Sequence, residues 1–185
     1  MRSRVHFFLM AVLLATPIFA RPGTPGGEQE FITVYVFLHE SCRISQNYTR
    51  TLRELHAEFA SEHLQFIGLF PNLSSEAAGI AAFRTEYEIP FGLETDYCHA
   101  RKEALGATVT PEVVVYHESR EEILYQGRID DTYFRVGQRR QVTTTSELRD
   151  VLESIVAHRP IPVRETQAIG CFIAEQKLST QDCPE

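Results

Sequence analysis

FITVYVFL, residues 31–38, carries apolar side chains on both of its alternating faces. A strand with one wet face would alternate apolar with polar. One that is apolar on both sides has to be covered on both, which places it at the centre of a sheet with helices above and below. The period then changes. Ile44, Tyr48, Leu52, Leu55 and Phe59 fall on one helical stripe from Ser41 to about Phe59. LQFIGLF, residues 64–70, reads as a second buried strand ended by Pro71-Asn72, and 74–87 as a helix with a break at Pro90. A shorter helix follows Asp96 and ends near Gly106. EVVVYH (112–117) and EILYQGRI (122–129) flank the polar turn 118–121 as a hairpin. Thr144-Thr145-Ser146-Glu147 is a capping box, and Leu148, Val151, Leu152, Ile155 and Val156 continue as an amphipathic stripe up to Pro160. The order β-α-β-α-α-β-β-α calls for a central mixed sheet covered by helices on both faces, with antiparallel strands from the late hairpin at one side.

The compartment decides what a cysteine can do. The chain opens MRSRVHFFLMAVLLATPIFA, with a basic start at Arg2 and Arg4, an apolar run from Phe7 to Phe19 and a small residue at Ala20. That pattern predicts a secretory signal peptide over residues 1–20, too short in its apolar core to span a bilayer. An uncleaved anchor is the alternative. Residues 21–30, RPGTPGGEQE, read as a linker, 31–159 as one domain, and 160–185 as a tail docking on it. Removing Arg2 and Arg4 with the acid-free leader takes the formal charge from −7 to −9. An acidic chain without a basic cluster argues against a nucleic-acid partner, and no later segment calls for membrane insertion. All four cysteines (42, 98, 171 and 183) survive cleavage into an exterior that permits disulfides, and four cysteines allow three pairings.

Cys42 lies between the first strand and the first long helix. A thiol there faces free backbone N–H groups and the positive end of the helix dipole, both of which favour the reactive thiolate. Arg43 adds a cation and Ser45 a candidate hydrogen-bond donor. The bland reading is a small buried apolar side chain. The second mark is Val109-Thr110-Pro111-Glu112, just before strand EVVVY. Strand starts tolerate proline on their own account.

A cysteine closing the first strand, with Thr-Pro opening the third, resembles the thioredoxin fold, where a cis-proline at that place faces the active thiol. FLHESCRISQNYTRTLRELH, GATVTPEVVVY, YQGRIDDTY and ETQAIGCFI narrow the likeness. They are similar to stretches of the secreted redoxin domains of the AhpC/TSA superfamily, over roughly residues 31–173. The usual motif there is Cys-Pro-Ile-Ser; Arg43 replaces the proline, which bears on the thiol's potential and its choice of partner. The resemblance implies site residues Cys42, Ser45, Thr110, Pro111 and Cys171.

Without a neighbouring cysteine, Cys42 has to be resolved from a distance or by a partner. Cys171 sits in the apolar tail stretch AIGCFI, where Gly170 permits close backbone approach. The resemblance places Cys42 and Cys171 in matching stretches and implies that they pair. Residues 160–170 can span roughly 35 Å, more than a domain radius of about 15 Å. Cys98 is the next candidate, Cys183 reads as an accessory thiol near the chain end, and two structural bridges are the alternative.

The expectation is an exported thiol-disulfide oxidoreductase acting on protein thiols or disulfides, or on a small thiol or peroxide. It calls for no cofactor. Two rivals share the fold. A thiol peroxidase needs Pro-x-x-x-Thr/Ser-x-x-Cys, but Tyr35 and His39 stand at those positions. A Sco-like copper-binding metallochaperone needs Cys-x-x-x-Cys, but residue 46 is glutamine; its ligands would be His39, Cys42, His99 and Cys171. Arg128, Asp130 and Asp131 in GRIDD read as a turn network before a substrate-orienting cluster.

Overall fold

A computed structural model describes residues 31–179 and 181–183. The signal peptide and linker expected over residues 1–30 lie outside the described residues. In chain order the elements are β1 (Ile32–Phe37), α1 (Arg43–Phe59), β2 (Leu64–Phe70), α2 (Ala77–Glu86), β3 (Gly92–Thr95), α3 (Ala100–Leu105) and β4 (Val109–Thr110). Then come β5 (Glu112–His117), β6 (Glu122–Gly127), β7 (Tyr133–Arg135), β8 (Gln138–Arg139), α4 (Glu147–Val156) and β9 (Cys171–Phe172). Among the described residues, no helix is long and apolar enough to cross a membrane.

The five-stranded sheet runs β3-β2-β1-β5-β6. β1 is central and buried throughout, as its two apolar faces require. It pairs parallel with β2, placing Val34 beside Phe66, and antiparallel with β5, placing Tyr35 beside Val114. Its side chains divide between two layers. Ile32, Val34 and Val36 pack with Leu52 and Leu55 of α1, Ile80 and Phe83 of α2, and Leu148, Val151 and Leu152 of α4. Tyr35 and Phe37 pack on the opposite face with Leu69, Leu105, Val114 and Ile173. Burying a large apolar side chain is worth about 1.5–3 kcal/mol, so these layers carry the fold.

The strands and helices expected from periodicity are present, with ends shifted by a few residues. Five short strands were not among the elements expected from periodicity. β3, GLET, is a mostly exposed edge strand without apolar alternation. β7 and β8 form a two-stranded ribbon, and β4 pairs with β9. The capping box is not made. Ser146 is the N-cap of α4, without a side-chain cap bond, and Glu147 opens the helix. Thr144 is diverted because Asp131 offers it a charged acceptor: the Thr144 N–H donates to Asp131 Oδ1 at 2.7 Å and its hydroxyl to Oδ2. Glu147 instead pairs with Arg128.

The GRIDD acids form a turn network. Asp130 Oδ1 accepts from Tyr48 Oη at 2.6 Å and from the Thr132 N–H at 2.8 Å. Asp131 is buried, which pushes its carboxyl up, but the Thr144 hydroxyl, the N–H groups of Thr144 and Thr145, and Arg140 outweigh that and hold it down at about 2. A carboxyl depressed in the folded state stabilises fully above its unfolded pKa and loses that contribution as pH falls through its folded one. The stability advantage of the wild-type chain over Asp131→Asn is therefore expected to be level above about pH 5. It should shrink between the ordinary value of 3.8 and about 2. Denaturant unfolding at stepped pH measures it; a gap unchanged into acid would remove this role from Asp131.

Candidate functional site: a disulfide under the tail

Cys42 closes the turn after β1, its N–H donating to the His39 carbonyl at 3.0 Å. It is the N-cap of α1, in extended backbone conformation, and its own carbonyl accepts the first helical bond from Gln46 at 3.0 Å. The first turn of α1 holds no acid. The helix N-terminus therefore keeps its full positive potential at the sulfur.

β4 runs beside that helix start and leads through a cis Thr110–Pro111 peptide bond into β5. The tail returns as β9 and pairs antiparallel with β4, with Thr110 opposite Cys171 and Val109 opposite Phe172. Cys42 and Cys171 are joined in a disulfide, their Cα atoms 6.2 Å apart across 129 positions of sequence. Cys42 is 3% exposed, Cys171 is partly exposed, and Phe172 beside it is 85% exposed. Cys42 Sγ lies 3.1 Å from the Thr110 carbonyl oxygen. The disulfide has no proton to share there. In the dithiol form Cys42 S–H can donate to that oxygen, which opposes the pull of the helix N-terminus towards thiolate.

Several supports hold this arrangement, and the sequence pointed to only one of them. Gly170 passes so close to β4 that a Cβ there would run into the Thr110 carbonyl. Ile173 is buried in the second layer, and its N–H donates to the Thr108 carbonyl at 3.1 Å. The Ala174 N–H donates to Asn72 Oδ1 at 2.7 Å. Glu112, buried at the start of β5, accepts at Oε2 from the N–H groups of Thr108 (2.8 Å) and Val109 (3.3 Å) and so fixes the approach to β4. An acid directly after Thr-Pro and ahead of VVVY was the visible signal for Glu112. Asn72, read only as the end of β2, had none.

Of the expected site residues, Cys42, Thr110, Pro111 and Cys171 come together. Ser45 does not join them through its hydroxyl. It is buried one turn into α1, and its Oγ accepts the His39 N–H at 3.4 Å. Cys183, expected as an accessory thiol, is bonded to Cys98 with Cα atoms 5.8 Å apart, so Cys98 is committed as well. Of the four copper-ligand candidates, His39, Cys42 and Cys171 border one cleft, but both sulfurs are committed to the disulfide and His99 is not part of that lining. His99 is buried with Nε2 3.1 Å from the Pro71 carbonyl, and His39 Nε2 is 3.1 Å from Ser74 Oγ. Among the described residues, no group of three or more His, Cys, Asp or Glu side chains is placed to hold a metal ion. Tyr35, at the peroxidase proline position, packs into the second layer and donates to Glu118 at 2.9 Å.

Gly170→Ala tests the close approach. Its new methyl meets backbone, which cannot turn aside, so we expect a loss of about 1–3 kcal/mol and slower closure of the Cys42–Cys171 bond on reoxidation. Gly92→Ala is the control, since a Cβ at Gly92 meets nothing within 4 Å. Equal melting temperatures and closure rates for the two variants would contradict the tight fit.

No family model and no curated protein matches the chain. Solved structures do. An uncharacterized conserved protein from Geobacillus kaustophilus superposes with a TM-score of 0.67 at 19% identity, over 82% of this chain and 79% of that one. A hypothetical protein from Sinorhizobium meliloti 1021 gives 0.67 at 17%, over 78% and 80%. A thioredoxin-like protein in its oxidized form gives 0.52 at 15%, over 70% and 80%. At these identities the likeness establishes the fold. The chain has a thioredoxin-like α/β fold, and its tail is tied by disulfide to the start of the first helix.

Proposed function

We propose that this chain is an exported thiol-disulfide oxidoreductase of the redoxin type, with Cys42 as attacking thiol and Cys171 as resolving thiol. What carries the reading is the Cys42–Cys171 bond at a helix N-cap, against the strand that precedes a cis-proline. The apolar, Arg-flanked leader of residues 1–20 supports export.

The chemistry follows from the geometry. In the dithiol form the Cys42 thiolate attacks one sulfur of a partner disulfide. A Cys42–partner bond forms, and the partner's other sulfur leaves with the electron pair and takes up a proton. Cys171 then attacks Cys42 Sγ, closing the internal disulfide and releasing the second partner thiol. The partner gains two electrons and the protein loses them. Thr110 and Pro111 wall the sulfur in, and the strand edge of β4 sets the direction from which Cys171 returns.

Turnover of a fluorescent protein-disulfide probe with dithiothreitol as electron source tests this. Cys42→Ser should abolish turnover, and Cys171→Ser should accumulate a probe adduct on Cys42. In a Cys171→Ser variant, the alkylation pKa of Cys42 should fall below the free value of about 8.5. Undiminished turnover in Cys42→Ser would end the proposal.

A further inference from the structure

The oxidised protein has to be re-reduced, and the two sulfurs of its disulfide are unequally accessible. Cys42 is buried, while Cys171 is partly exposed and lines a cleft of about 360 Å³ with Arg43, Ile44, Asn47, Tyr133, Val136 and Arg139. That volume lies within the range of small-molecule sites. Its floor is apolar: Ile44 and Tyr133 are buried, and Tyr133 is fixed by a hydrogen bond from Asn47. Its charge is all of one sign. No acidic side chain lines the cleft, and among the described residues neither guanidinium pairs with a carboxylate. Arg43 donates only to the neutral Gln46 Oε1, at 3.3 Å. Two uncompensated cations beside an accessible sulfur, on a chain of net charge −7, form a local site rather than a general surface property.

We propose that the Cys42–Cys171 disulfide is opened at Cys171, through this cleft, by a small thiol whose carbon chain carries an anionic group. The proposal rests on the oxidoreductase reading above and adds the electron donor's chemistry and its point of entry. The donor's thiolate attacks Cys171 Sγ, a donor–Cys171 bond forms, and the bond to Cys42 breaks. Cys42 leaves with the electron pair at the N-cap of α1, where its charge is stabilised, and a better-stabilised leaving thiolate leaves faster. A second donor thiolate attacks the donor sulfur of that mixed disulfide. The products are the donor's disulfide and a Cys171 thiolate, which takes up a proton. Arg43 and Arg139 hold the donor's carboxylate or sulfonate while its thiolate reaches the sulfur.

The test uses the full oxidised chain and three thiols of similar size: anionic 2-mercaptoethanesulfonate, neutral 2-mercaptoethanol and cationic cysteamine. Rates are expressed per thiolate. Acid quenching, alkylation and peptide mass mapping separate the Cys42–Cys171 bond from Cys98–Cys183 and locate the first adduct. A unit charge pair about 4 Å apart in water is worth roughly a factor of five in rate. The anionic thiol should therefore open the bond at least about fivefold faster than the neutral one, and the cationic thiol more slowly still. The first adduct should lie on Cys171. The preference should collapse near 1 M salt, where the screening length is about 3 Å. It should also move towards one in Arg43→Gln and Arg139→Gln, both exposed positions. Opening at rates indifferent to charge, or a first adduct on Cys42, would overturn this proposal and leave the oxidoreductase reading standing. Resistance of the bond to all three thiols and to dithiothreitol would overturn both.

Discussion

Two residues of strand pairing, Val109–Thr110 against Cys171–Phe172, set everything at the site. They bring a sulfur from near the chain's end to one at the start of α1. A ladder this short is weak on its own, since each hydrogen bond contributes on the order of 1 kcal/mol net. Its neighbours make it persist. On one side, the Thr166 N–H donates to the Gln126 carbonyl at 3.0 Å, and Gly127 leaves room for Thr166 where a Cβ would collide. On the other, Ile173 is sunk in the second layer and Cys183 is bonded to Cys98. The tail crosses the sheet's end with Ile169 and Cys171 against one layer and Ile173 in the other.

That double anchorage changes what reduction does. In a chain held only by Cys42–Cys171, closing a loop of that length would be worth about 5 kcal/mol on the chain-entropy model, and cutting it would free the tail. Here the tail has anchors on both sides of Cys171 that do not depend on that bond: the Thr166 N–H on Gln126 before it, and buried Ile173 and the Cys98–Cys183 bond after it. On the proposed reading, that would keep the Cys171 thiol near Cys42 at high effective concentration and make resolution an intramolecular step. A neighbouring cysteine three residues on would achieve the same through the helix turn, but that position is the buried Ser45. The tail supplies by tertiary pairing what sequence spacing does not.

The parts legible in the sequence were those with a period or a distinctive residue pair. The doubly apolar β1, the stripe Ile44–Tyr48–Leu52–Leu55–Phe59 and the late hairpin fixed the sheet and its covering layers. Cys42 with Thr110-Pro111 marked the site, and Gly170 the tail's close approach. The rest depends on partners distant in sequence. Asn72 matters only because Ala174 arrives beside it, and Cys98 only because the chain end returns to it. Thr144 looked like a cap because the motif is local, while the acceptor that captures it, Asp131, belongs to a turn 13 positions earlier. β3 and the β7–β8 ribbon are short and mostly exposed, so no apolar pattern announces them.

Arg43 concentrates the remaining tension between stability and chemistry. It is the first residue of α1, a position where proline fits well because its missing N–H would have no helical partner. Arginine restores that N–H and puts a cation at the positive end of the dipole, which costs a helix some tenths of a kcal/mol. With no acid in the first turn to offset it, the helix start is more positive than stability alone would favour. On the proposed reading both effects favour a negative charge at Cys42, the N-cap residue next to Arg43. They oppose the Thr110 carbonyl, which favours the protonated thiol. Of these two neighbours, Arg43 is the one that a single substitution at an exposed position can remove.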